Sequence, residues 1–147
     1  MYILLVDNNQ FFISVIHEML NEAGFNNIKS VDNGMESIPK FYDIDIPEVV
    51  IIDHNECFSR GVDVIQTIRQ SSPDISIIVL TESGSSMGHS SMTDAGSIIH
   101  IEKNRITADN LPQILYNIFT EKLNYSRKSF LPKSLSRFSK AFAEILN

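Results

Sequence analysis

Three runs of the chain, residues 2–6, 49–52 and 75–80, are rich in Val, Ile and Leu and show no polar alternation. Short continuous apolar runs of this kind are expected of strands covered on both faces. Residues 28–31 and 98–101 are weaker strand candidates. Helical patterns separate them. Phe12, Val15, Ile16, Met19, Leu20 and Ala23 recur at helical spacing, and Gly24 follows as a stop. Leu111, Ile114, Leu115, Ile118 and Phe119 form a second stripe, and residues 62–70 a shorter one ended by Ser71-Ser72-Pro73. Asn33-Gly34 marks a turn, with helices expected over 34–42 and 87–94. The order is strand–helix repeated five times. It predicts an α/β fold: a doubly wound five-stranded parallel sheet with helices on both faces.

Such sheets carry their sites beyond the carboxyl ends of the strands, where the strand order reverses. The predicted strands run into Asp7-Asn8-Asn9, Asp53-His54-Asn55, Thr81-Glu82-Ser83 and Glu102-Lys103-Asn104. One rim would therefore collect two carboxylates, a hydroxyl and an ammonium. Two carboxylates with a backbone carbonyl suit a hard divalent cation such as magnesium. A carboxylate can act as nucleophile and form an aspartyl phosphate. A metal and a lysine can share the charge of the phosphoryl group, and a hydroxyl can bond its oxygens.

Composition adjusts this picture in two places. The net charge of -6 conceals a division: residues 1–123 hold seven Lys and Arg against 17 Asp and Glu, whereas residues 124–147 hold five against one. An acidic body argues against nucleic-acid binding by that part of the chain. Cys57 is the single cysteine, so no internal disulfide can form, which fits a reducing cytoplasm. No apolar run reaches the length of a membrane span, and the first residues carry no basic leader. A transmembrane segment is therefore not expected, and the expected location is cytoplasmic.

Leu4-Leu5-Val6-Asp7-Asn8, Ile51-Ile52-Asp53-His54-Asn55, Leu80-Thr81 and Ile101-Glu102-Lys103 resemble, in order, the four signatures of the receiver domain of two-component response regulators. Arg60-Gly61 and Asp94-Ala95-Gly96 resemble family features too. The resemblance spans roughly residues 2–122 and implies the flavodoxin-like receiver fold, with 1–123 as the receiver domain. It implies a phosphoacceptor switch that assists its own phosphorylation and dephosphorylation, rather than an enzyme. Asp53 matches the phosphate acceptor. Asp7 matches the first acid of the pair that holds magnesium, and Asn55 the position that gives the metal a backbone carbonyl. Thr81 matches the switch hydroxyl, Lys103 the phosphate-contacting lysine, and His100 the switch aromatic. A histidine kinase or phosphotransfer protein would donate the phosphoryl group, and a downstream protein would read the switched surface.

The chain departs from the family at four places. Asn8 replaces the second acid of the metal-binding pair, so magnesium would be bound through Asp7, Asn8, Asp53 and Asn55 with lowered affinity. Cys57 replaces a common proline after the acceptor. Asn104 replaces the proline after the lysine, where a cis bond without proline would cost about 3–4 kcal/mol, so a trans bond is expected. Glu82 replaces a small residue after Thr81. Asn8, Glu82 and Asn104 favour the competing reading, a phosphorylation-independent pseudo-receiver acting as an interaction module. Enzyme readings fare worse. The loop after the first strand lacks the hydroxyls of a flavin site, and Asn55 stands where an aspartate-nucleophile phosphatase carries a second acid. No glycine-rich phosphate loop, serine elbow or zinc spacing is present. Residues 124–147 form a basic extension expected to be helical, with Leu135, Phe138, Ala141, Phe142 and Ile145 at helical spacing. Its stripe suggests packing or a homodimer.

Overall fold

The computed structural model describes residues 1–82, 91–93 and 96–130. The chain divides into two compact units, Met1–Pro112 and Gln113–Asn147.

The first unit is built on the parallel strands β1 (Ile3–Val6), β2 (Ile28–Val31) and β3 (Val49–Asp53). A two-stranded antiparallel hairpin follows, β4 (Phe58–Ser59) and β5 (Val62–Asp63). The sheet then continues with β6 (Ser76–Thr81), β7 (Ser91–Thr93) and β8 (Gly96–Glu102). Its order is β2-β1-β3-β6-β8-β7. The first five of these run parallel, as the sequence predicts, and β7 pairs antiparallel with β8 at the edge. The order reverses between β1 and β3, so the carboxyl ends of those two strands flank the switch point.

The alternation of side chains across the pleat decides which helix covers which face. Leu4, Val6, Val50, Ile52, Ile77 and Val79 share one core with Phe41, Val64 and Ile68. Phe41 lies in the 3-10 turn Ile38–Tyr42, which continues α2 (Gly34–Ser37), and Val64 and Ile68 lie in α3 (Val64–Ser71). Leu5, Ile51 and Leu80 face the other way and meet Ile13 and Ile16 of α1 (Gln10–Glu22). Helices therefore lie on both faces.

Local signals set the ends. Asn9 caps α1 by accepting from the Phe12 N–H at 3.1 Å. Gly24 closes it at φ 92°, with Gly24 N–H bonded to Asn21 O and Phe25 N–H to Leu20 O, a Schellman ending. Asp63 caps α3 through the Gln66 N–H at 2.9 Å. Arg60 and Gly61 both take positive φ, 51° and 79°, which is the turn geometry a two-residue hairpin favours.

Two expectations need correction. The 62–70 helix begins later, because Val62-Asp63 is a strand of the hairpin. Within the helix expected over 87–94, residues 91–93 are strand β7, where Ser91, Met92 and Thr93 form backbone pairs with β8. The remainder of that span lies outside the described residues. No described peptide bond is cis, as expected at Lys103-Asn104. The helix α4 (Asn110–Phe130) starts in the first unit and runs into the second. Its Leu111, Leu115 and Ile118 are buried. The expected helix around Leu135–Ile145 lies outside the described residues. Among the described residues no helix is long and apolar enough to cross a membrane.

Candidate functional site

Asp7 follows β1 directly, Asp53 is the last residue of β3, and both are 4% exposed. Each carboxylate is held by its own backbone. Asp7 Oδ1 accepts from the Asn9 N–H at 2.8 Å, and Asp53 Oδ2 accepts from the Asn55 N–H at 3.0 Å. These Asx turns are what a short acid at a strand end readily makes. They fix one oxygen of each pair and aim the other at Lys103.

Lys103 opens the 3-10 turn Lys103–Arg105 just after β8. Its Nζ lies 2.8 Å from Asp7 Oδ2 and 2.9 Å from Asp53 Oδ1. The first contact is a hydrogen bond. The second is an ion pair to the buried Asp53 Oδ1. The Phe12 ring lies beneath the ammonium, 4.6 Å from ring centroid to Nζ. Glu82, exposed, places Oε1 3.9 Å from the same Nζ. Burial of the ammonium works to lower the Lys103 pKa, but the contacts with Asp7 and Asp53 outweigh it and the net direction is upward.

Thr81 ends β6, is buried, and donates from Oγ1 to Ile101 O across a long 3.4 Å bond. His100 sits on β8 opposite Val79, half-buried, with Nδ1 buried and without a hydrogen-bond partner. Burial, then the nearby His54, push its pKa down. The ring lines a cavity of about 260 Å³ with Cys57, Phe58, Ile65, Val79 and Ile98. Asn8 and Asn55 are exposed beside the two acids, and His54 is exposed too. Cys57 donates weakly to Asp53 O at 3.6 Å. Burial pushes its thiol up to about 12, the direction of an inert cysteine.

The structure thus brings Asp7, Asp53 and Lys103 into contact and sets Thr81 at the neighbouring strand end, where β6 pairs with both β3 and β8. Of Asn8 and Asn55, Asn55 reaches a carboxylate through its backbone N–H, bonded to Asp53 Oδ2. Sequence reasoning missed two residues. Phe12 read as one member of the α1 stripe, although its first-turn position next to a lysine-bearing loop sets it apart. Glu56 carried no signal. It is 8% exposed and its carboxylate accepts from the Gly34 N–H at 3.1 Å, tying the turn after Asp53 to the start of α2.

The donor set fits magnesium chemically. Asp7 and Asp53 offer carboxylate oxygens, Asn8 an amide and Asn55 a carbonyl. Among the described residues no group of three or more His, Cys, Asp or Glu is placed to hold a metal.

Comparison with known proteins follows the same line. The chain is 28% identical to the chemotaxis protein CheY of Thermotoga maritima over 82 residues, 56% of this chain and 68% of that protein. It is 30% identical to CheY-3 of Vibrio cholerae over 69 residues, 47% of this chain and 52% of that protein. Thus the matched stretch spans about half to two thirds of these relatives. Among solved structures, a response regulator receiver protein from Sinorhizobium medicae superposes with a TM-score of 0.64 at 22% identity, covering 81% of this chain and 94% of that one. The receiver domain of a sensor histidine kinase from Pseudomonas aeruginosa, described with a magnesium ion coordinated in its active-site cleft, gives 0.61 at 22%, covering 79% and 94%. At these identities the structures establish the fold. The response regulator receiver domain family matches residues 3–116, and the chain belongs to that family.

Proposed function

We propose that this domain is a phosphorylation switch in which Asp53 accepts a phosphoryl group from a phosphohistidine on a histidine kinase or phosphotransfer protein. The single observation that supports it most is the Lys103 ammonium seated between the Asp7 and Asp53 carboxylates at 2.8 and 2.9 Å. Asp53 Oδ2 is tied to the Asn55 N–H, which leaves Oδ1 as the nucleophile. Its attack forms an O–P bond as the donor's N–P bond breaks, and the imidazole nitrogen leaves with the electron pair. Magnesium would be held by Asp7, Asn8, Asp53 and the Asn55 carbonyl, and when bound it shares the negative charge of the transferred group. Lys103 supplies a fixed positive charge on the other side. The Thr81 hydroxyl exchanges its long bond to Ile101 O for a phosphate oxygen. The cavity beside His100 gives that ring room to change place, and a downstream protein reads the altered surface.

Beryllofluoride with magnesium mimics the phosphorylated state. It is expected to shift the amide resonances of Thr81 and Lys103 in the parent chain and to leave Asp53→Ala unchanged. In parallel, acetyl phosphate with magnesium adds the mass of one phosphoryl group to the parent only. An equal response in Asp53→Ala would move the acceptor elsewhere, and no response in the parent would end the proposal.

A further inference from the structure

Among the described residues Phe12 is the aromatic ring that touches the charged cluster, with its centroid 4.6 Å from Lys103 Nζ, and neither the acids nor the metal chemistry accounts for it. The ring belongs to the first turn of α1, next to the carboxyl end of β1. Asn9 fixes that turn by accepting from the Phe12 N–H itself at 3.1 Å. The cap that starts the helix therefore also sets where the ring goes. The ring is half-buried and the Lys103 side chain is 16% exposed, so their contact is largely shielded from water. An ammonium over an aromatic face within about 6 Å is attracted by the ring quadrupole, more strongly as water is excluded.

Lys103 has three N–H groups. Asp7 takes one by a hydrogen bond, and Asp53 Oδ1 attracts the cation at 2.9 Å. Two partners on one side do not fix a long, flexible side chain. The ring closes the cluster on another side, with its centroid 4.6 Å from Nζ. We propose that Phe12 is a positioning residue for the phosphoryl site: its ring is a seat that keeps the Lys103 ammonium beside Asp53 when a metal or a phosphate oxygen takes over its carboxylate contacts. The inference rests on the phosphoryl reading of the site. It adds a residue whose job is to hold the lysine's charge in place during the exchange of partners. A metal entering between Asp7 and Asp53 repels the ammonium. With the ring present, Lys103 retains an uncharged partner at the site and does not swing out toward the exposed Glu82, whose Oε1 is already 3.9 Å away.

The test uses the full chain with Phe12→Leu, which keeps apolar bulk without a π face, and Phe12→Tyr, which restores the face. In the metal-free protein the Lys103 ε-proton resonances should be shifted upfield by the ring in the parent and in Phe12→Tyr, and not in Phe12→Leu. Beryllofluoride with magnesium should bind Phe12→Leu about 3- to 10-fold more weakly than the parent, with Phe12→Tyr close to the parent. Leu binding as tightly as the parent overturns the proposal, as does equal weakening in both variants, because then the π face is not the cause. If the parent itself fails to bind beryllofluoride, the phosphoryl reading fails. The ring shift of Lys103 then decides the seat alone, and its absence overturns it.

Discussion

Lys103 and Asn8 set the charge of the site between them. The two buried acids and one ammonium sum to a single negative charge, to which the exposed Glu82 adds another at the rim and the neutral amide of Asn8 adds none. Asn8→Asp is expected to tighten magnesium binding about tenfold or more. A unit charge at roughly 4 Å contributes about 4 kcal/mol at an effective dielectric near 20, and desolvation offsets much of it. Isothermal titration of parent and variant with magnesium checks this, and equal affinities would place Asn8 outside the metal shell. His100 contributes to the pH response. Burial, and after it His54, hold the imidazole below its ordinary range. The unfolded chain, titrating near about 6.5, then takes up the proton first as pH falls. Stability is therefore lost from that value downward until the folded pKa is passed, and above it His100 contributes nothing. His100→Leu should shrink the drop in melting temperature between about pH 7.5 and 5.5, and a drop as large as the parent's would assign it to other groups.

At the scale of elements, β3 is braced from behind. Glu56, three residues after Asp53, reaches across to the Gly34 N–H, and Gly34 itself lies against the Glu56 backbone. A Cβ on Gly34 would stand 2.1 Å from Glu56 O and 2.9 Å from a Val64 methyl. Neither can withdraw freely, since one is backbone and the other is fully buried in α3. Gly34→Ala is expected to destabilise the fold by about 1–3 kcal/mol or more, as overpacking does, and to disturb the Asn55 amide that holds Asp53. Urea melts give the first quantity and the Asn55 amide resonance the second. A variant as stable as the parent would show that the α2 start can move away.

The whole molecule is an acidic, sheet-based unit joined through α4 to a basic end. The sheet has its own core, so truncation after Phe130 should preserve the dispersed spectrum of residues 1–112 and any stabilisation by magnesium. A ligand bound only by the folded state, at about 100 times its dissociation constant, adds about 2.7 kcal/mol. Thermal melts with magnesium and with a chelator measure that difference in both chains. The apolar stripe Leu135, Phe138, Phe142 and Ile145 predicts either docking on the body or self-association, because four large side chains in water are each unfavourable by roughly 1.5–3 kcal/mol. A dimer seen by sedimentation in the full chain and lost on truncation supports self-association, a lower melting temperature of a truncated monomer supports docking, and no change in either quantity would remove both.

Much of this was legible in order of residues alone. The continuous runs of Val, Ile and Leu marked the parallel strands because strands covered on both faces have no polar side to alternate with. The strand ends placed Asp7, Asp53, Thr81 and Lys103 on one rim, since parallel strands with right-handed crossovers have nowhere else to bring their carboxyl ends. The β4–β5 hairpin was hidden because Val62-Asp63 also fits the start of the α3 stripe, and only pairing with Phe58-Ser59 decides it. Residues 91–93 took antiparallel pairing with β8 only three to seven positions further along the chain, a choice that helical spacing does not report. Asp7, Asp53 and Lys103 were named from sequence, but the sequence gives no distances. That the ammonium sits between both carboxylates, over the Phe12 ring, follows from which rotamers the packed strands and α1 leave open. That is a tertiary property, because the partners lie up to 96 residues apart in the chain.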